Sequence, residues 1–132
     1  RLLGEGACVV LADIDQAALD AAVAELSKAY GKDLVRGLRC DVTQEASVQA
    51  AFDRCCIEFG GLDILVSNAG IASAAPLEDT SLELWNRNQA ILATGYFLVG
   101  REAFRVMKRQ RTGGNIIVVA SKNGMVASNQ AS

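Results

Sequence analysis

Four short strand-like runs, each ending on a small or polar residue and separated by helix-length stretches, constrain this chain most. Ala7 to Ala12 (ACVVLA) stops at Asp13, and Leu34 to Cys40 stops at Asp41. Leu62 to Ser67 (LDILVS) runs into Asn68-Ala69-Gly70, and Asn115 to Ala120 (NIIVVA) stops at Ser121. Nearly continuous apolar runs of this length fit parallel strands buried on both faces. Asp15 opens a helix with Leu19, Val23, Leu26 and Tyr30 on one face, and Gly31 stops it. Thr43 caps a second helix carrying Val48, Phe52, Cys55 and Phe59, ended by Gly60-Gly61. Past the only proline, Pro76, Thr80 and Glu83 form a T-S-L-E capping box. The helix it opens runs to about Arg111, before Gly113-Gly114. The order β-α-β-α-β-α-β predicts an α/β fold of Rossmann type, a doubly wound parallel sheet with helices on both faces.

Two absences narrow the chemistry. The chain has no histidine, which excludes a Ser-His-Asp hydrolase and a His-bound metal. Cys8, Cys40, Cys55 and Cys56 make no CxxC pair, which removes zinc and thioredoxin readings. They read as buried, reduced, structural thiols of a cytoplasmic protein. A hydrophobic fraction of 51% against 21% charged excludes disorder. The net charge of −2 gives no reason to expect nucleic acid or an anionic membrane as partner. No apolar run reaches the roughly 18 residues of a membrane span, so a soluble chain is expected. Arg101, Arg105, Lys108, Arg109 and Arg111 read as a solvated helix end whose cations complement the dipole.

In open parallel sheets, ligands bind outside the carboxyl ends of the strands, so the residues just after each run carry the functional information. Asp13 can accept from both hydroxyls of an adenosine ribose and repel a 2′-phosphate, which favours NAD over NADP. It can equally cap the following helix, a task for which Asp15 competes. Asp41 can accept from an adenine amino group or serve as a turn residue. The small residues of Asn68-Ala69-Gly70 let backbone approach a flat ligand. The Asn68 amide can pin a neighbouring strand, although a plain strand-to-loop turn explains the same residues. Ser121 can donate to a substrate carbonyl or hydroxyl, or simply occupy a turn.

Taken together, these residues resemble the short-chain dehydrogenase/reductase family. The carrying motifs are V-V-L-A-D at Asp13, C-D-V-T at Asp41, S-N-A-G at Asn68 and I-I-V-V-A-S at Ser121. S-N-A-G stands where most members have N-N-A-G. The resemblance covers the whole chain, from the end of the family's first helix to just short of its catalytic tyrosine. It implies hydride transfer between NAD and a small alcohol or aldehyde. Asp13 and Ile14 would hold the ribose, Asp41 and Val42 the adenine. Asn68, Ala69 and Gly70 would line the cofactor, and Ser121 would hold the substrate oxygen.

The resemblance also implies parts that lie outside residues 1–132, making them the central fragment of one NAD(P)-binding domain. The family's first strand and glycine-rich loop would precede Arg1. Its tyrosine would fall thirteen positions after Ser121, two past Ser132, followed by its lysine. The absent strand would lie between the strands at Ala7 and Leu62, so the 132 residues alone are expected to fold poorly or aggregate. On the long helix, Trp85 and Gly95 set a W-x6-N-x2-G frame in which Leu92 stands at the family's catalytic asparagine. Leu92 keeps the backbone carbonyl that helps hold a relay water and lacks the amide. Asn88, one turn earlier on the same face, is the candidate substitute.

The stretch W-N-R-N-Q-A-I-L-A-T-G-Y-F-L-V-G-R-E-A-F, then V-A-S-K-N-G, is similar to one subgroup in particular. These are bifunctional proteins joining a class II-type rhamnulose-1-phosphate aldolase domain to a short-chain dehydrogenase. That similarity implies lactaldehyde or a related hydroxyaldehyde as substrate, and the family's pairing of long helices implies a homo-oligomer. Leu92 keeps open a non-catalytic dinucleotide-binding module as the alternative. A methyltransferase also places an acid after its second strand, but S-N-A-G and V-A-S argue against it.

Overall fold

The computed structural model describes residues 1–73 and 75–121. Each strand-like run forms a strand, trimmed at one or both ends: β1 (Val9–Asp13), β2 (Val35–Arg39), β3 (Ile64–Ser67) and β4 (Asn115–Val118). The helices are α1 (Gln16–Tyr30), α2 (Glu45–Phe59), α3 (Leu82–Asn88) and α4 (Tyr96–Gln110). Lys122 and Asn123, which contribute to the subgroup similarity, lie outside the described residues.

The strands pair as two parallel ladders instead of one sheet. β1 runs beside β2 from Val9 opposite Val35 to Asp13 opposite Arg39, and β3 beside β4 from Ile64 opposite Asn115 to Ser67 opposite Val118. Among the described residues β1 and β3 do not pair, in keeping with the expectation that another strand separates them. Burial of both faces fails for β3 and β4. Val66 and Ile117 are 45% and 49% exposed, because α4 covers β3 from one side only and β4 is exposed throughout.

α1 packs on the β1–β2 ladder at closest range over Gly37. A methyl group there would lie 2.8 Å from Val23 Cγ2 and 3.0 Å from Leu19 Cγ. Leu19 is buried in this contact, whereas Tyr30 on the same helix is largely exposed. Gly37→Ala is therefore expected to destabilise the full-length protein by about 1–3 kcal/mol, the usual cost of overpacking. A lower urea midpoint at unchanged m reads this out, and an unchanged midpoint would refute the contact.

α2 and α4 pack through Val48 and Leu98, with Cys40 in the same cluster. Glu45 of α2 pairs with Arg101 of α4, and buried Glu102 accepts from Arg101 and Arg105, the latter at 2.7 Å. The expectation of a wholly solvated cationic helix end is thus corrected, because two of its five cations sit in this network. Burial raises the Cys40 and Cys55 thiols above the ordinary cysteine range. Cys8 departs from the buried reading: it precedes β1 and is exposed.

Two expected caps are displaced by one residue. Ser81, not Thr80, caps α3, with Ser81 Oγ accepting from the Leu84 N–H at 3.1 Å. The Thr80 hydroxyl instead donates to the Pro76 carbonyl at 3.0 Å. Thr43 does not cap α2, because its hydroxyl donates to the stronger acceptor, the Asp41 carboxylate, at 2.7 Å.

The single long helix is also corrected. Gln89–Gly95 forms a π-helical stretch between α3 and α4, an over-wide turn of the kind that often marks functional sites. The helix then stops at Gln110, with Arg111 in the left-handed region at φ 59°, two residues before the glycine pair.

Candidate functional site

The loops after β2 and β3 meet the π stretch. β1 delivers Asp13, exposed, with its Oδ1 accepting from the Asp15 N–H at 2.9 Å. Asp15 in turn accepts from the Ala18 N–H at 3.0 Å and caps α1. The capping task therefore belongs to Asp15, and Asp13 keeps its second oxygen clear of that turn. The Asp13 carbonyl accepts from the Cys40 N–H at 2.8 Å, which sets Asp41 next to it. Ile14 is 55% exposed beside Asp13.

Asp41 is held from both sides. Its Oδ1 accepts from the Thr43 hydroxyl and, at 2.9 Å, from the Thr43 N–H, while its own N–H donates to Ser47 Oγ at 3.0 Å. The Thr43 side chain, then the Thr43 backbone, holds the Asp41 carboxyl below the usual aspartate range. This turn contributes stability above the ordinary aspartate pKa, and that stability fades as pH falls through the depressed value. Asp41 is thus a turn residue in fact, with Oδ2 outside the turn.

Val42, next in the chain, meets Gly95. A methyl group on Gly95 would lie 2.9 Å from Val42 Cγ2, so the π stretch and the C-D-V-T loop touch backbone to side chain. The same stretch meets the other ladder, where a methyl on Gly70 would lie 3.4 Å from Leu92 Cδ2. The loops after β2 and after β3 therefore converge on one segment of helix.

Asn68 and Ala69 are exposed. Asn68 pins no neighbouring strand within the described residues. The β3–β4 ladder closes with the Val119 N–H donating to the Ser67 carbonyl at 3.0 Å. Gly70 and Ser121 each lie three residues past the last pair of this ladder, Ser67 opposite Val118. Asn88 Nδ2 donates to Ser73 Oγ at 2.7 Å, so the amide suggested as a substitute at the Leu92 position is directed at the loop after Gly70.

Sequence reasoning missed the π stretch and the Asn88–Ser73 bond. The Trp85-to-Gly95 frame marks the segment but not its over-wide turn. Open hollows of about 370 Å³ lie elsewhere, one between α2 and α4 at Asp53 and Arg105, the other beside Phe104 and Ile116. Neither touches the carboxyl end of a strand, and the groups after those ends make the stronger candidate site.

Residues 1–132 match the short chain dehydrogenase family. The chain belongs to that family. The chain is 45% identical over all 132 residues to the uncharacterised oxidoreductase YuxG of Bacillus subtilis, of which it spans 19%. It is 39% identical over 126 residues to D-threitol dehydrogenase of Mycolicibacterium smegmatis, covering 96% of this chain and 47% of that one.

Among solved structures it resembles sorbitol-6-phosphate 2-dehydrogenase SrlD of Erwinia amylovora, with TM-score 0.93 and 33% identity over 98% of this chain and 51% of that one. It also resembles a short-chain dehydrogenase/reductase of Burkholderia phymatum in complex with NAD, with TM-score 0.87 and 30% identity over 92% of this chain and 43% of that one. The fold is the family's α/β Rossmann type. The chain spans at most about half the length of these relatives. No helix among the described residues is long and apolar enough to cross a membrane.

Proposed function

We propose that these residues form the central part of an NAD-dependent short-chain dehydrogenase that oxidises a small alcohol or reduces the matching aldehyde. In the oxidising direction the carbinol C–H leaves as hydride to the nicotinamide, and the hydroxyl proton leaves to a base. One observation carries the reading: the loops after β2 and β3 converge on the π stretch, with Asp13 and Ser121 at the ends of the flanking strands. The donor set fits the cofactor. Asp13 and Ile14 would take the ribose, Asp41 and Val42 the adenine edge, and Asn68, Ala69 and Gly70 would line the cofactor. Ser121 would hold the substrate oxygen. When bound, NAD supplies the hydride acceptor.

An exposed carboxylate at Asp13 supports NAD over NADP, because it repels a 2′-phosphate. YuxG, of which the chain spans 19%, has room for a further domain, as a bifunctional protein acting on lactaldehyde would. The exposed Phe97 and Phe104 of α4 support a homo-oligomer. The free cysteines among the described residues suit a reducing, cytoplasmic setting.

A second reading rests on Leu92 standing where the family has an amide, with Asn88 turned to Ser73. It is a dinucleotide-binding module without turnover. The full-length protein decides between them, with NAD or NADP and D-threitol, sorbitol 6-phosphate or lactaldehyde. The enzyme reading expects NAD reduction with at least one. NAD binding without turnover of any of them would support the module.

Asp13→Ala is expected to lower kcat/KM for NAD by about 10- to 100-fold, the scale of a hydrogen bond to a charged group, and to relax exclusion of NADP. An unchanged NAD-to-NADP ratio would remove Asp13 from the cofactor site.

A further inference from the structure

Two contacts fasten the segment after β3 to one face of the helix. Gly70 lies against Leu92, and Ser73 accepts from Asn88. Asn88 and Leu92 are four residues apart, so they stack on the same face. As the segment runs from Gly70 to Ser73, its partners run backwards from Leu92 to Asn88. The segment therefore lies antiparallel to the helix, tied at both ends. Asn88 and Ser73 are both partly buried, which shelters their bond from competing water.

The tied segment sits on the β3–β4 side. Gly70 and Ser121 both follow the carboxyl ends of the paired strands β3 and β4, whereas Asp13 and Asp41 belong to the other ladder. The segment therefore belongs to the Ser121 side of the site and not to the adenosine end.

We infer that Asn88 is a positioning residue that, through Ser73, latches the Gly70–Ser73 segment and sets the fit of the alcohol beside Ser121. This rests on the dehydrogenase reading above. Two contacts at opposite ends of a four-residue segment leave it little freedom. Removing the polar one leaves only the apolar contact at Gly70, about which the segment can swing. Asn88 then acts on substrate binding by placement, and its amide takes no part in proton transfer.

The test uses the full-length protein, NAD and whichever of D-threitol, sorbitol 6-phosphate or lactaldehyde it turns over best. Asn88→Ala and Ser73→Ala should each raise KM for that substrate about 2- to 10-fold, the scale of one neutral hydrogen bond. The change in kcat should stay within about twofold, with NAD affinity and the pH profile of kcat unchanged. The double variant should be no worse than either single one, since both remove the same bond. Ser73→Thr keeps the hydroxyl and should restore KM.

A shifted pH profile in Asn88→Ala with a silent Ser73→Ala would overturn the latch in favour of a proton relay. Two silent single variants would overturn it as well. If the unaltered protein turns over none of the three substrates, the dehydrogenase reading fails. Amide exchange at Ile71 to Ser73 then judges the latch separately: faster exchange in both variants supports it, and unchanged exchange refutes it.

Discussion

Replacing Ser121 with alanine in the full-length protein is expected to lower kcat by about 10²- to 10³-fold, the usual loss when one preorganised donor to a developing oxyanion is removed. NAD affinity should not change. Ser121 stands three residues past the end of β4, as Gly70 does past the end of β3. The ladder behind it closes with the Val119 N–H bonded to the Ser67 carbonyl. A hydroxyl fixed by backbone needs little reorganisation when charge grows on the substrate oxygen. Single-turnover rates with NAD in excess separate this loss from binding. Full activity in Ser121→Ala would remove the residue from the reaction. Weaker NAD binding at unchanged kcat would move it to the cofactor side.

The second large effect is expected at Gly95. Alanine at an ordinary helical site is better than glycine by about 1 kcal/mol, so a plain helix would gain from Gly95→Ala. Here the new methyl would lie 2.9 Å from Val42 Cγ2 and 3.2 Å from Val42 Cβ. Rotating χ1 moves Cγ2 but not Cβ, so backbone must give way. Overpacking of this kind costs about 1–3 kcal/mol, and the part displaced is the C-D-V-T loop. We expect a lower melting temperature and NAD affinity reduced about tenfold, one tenfold step being about 1.4 kcal/mol. Val42→Ala in the same protein should recover much of both, because it removes the nearer atom. Wild-type stability in Gly95→Ala would contradict the contact, and a double variant as impaired as the single one would place the strain elsewhere.

What the residues made legible follows from how locally each feature is determined. The four strands could be read because parallel strands are short apolar runs, even where the described residues leave a face of β3 and β4 uncovered. The strand-end residues could be read because such sheets bind ligands there. Asp15 and Gly31 bound α1 as expected, since a cap and a left-handed stop are set by single residues. Thr80 and Ser81 offer adjacent hydroxyls, and sequence cannot choose between them. The choice falls to Ser81 once Pro76 presents its carbonyl to Thr80.

Pairing of β1 with β2 and β3 with β4 is non-local and has no sequence signature of its own. Exposure of Cys8 is likewise decided by where β1 begins, not by the residue. The π stretch was not legible at all. Gln89–Gly95 contains no proline, and its one glycine lies at the far end. Its over-wide turn sits between Val42 on one side and Gly70 on the other, neighbours that are distant in sequence.

The over-wide turn at Gln89–Gly95 also makes chain length, not only chemistry, a property of this site. A π turn is commonly an α turn carrying one additional residue, and each residue of a helix advances it by about 100°. The over-wide turn takes up that residue, so deleting one residue and restoring plain α geometry would leave Asn88 and Gly95 in nearly the same phase. Forcing plain α geometry on all seven residues would instead add about 100°, and Asn88 could no longer face Ser73 while Gly95 faced Val42. The wide turn is what lets a segment of this length meet the loops of both ladders.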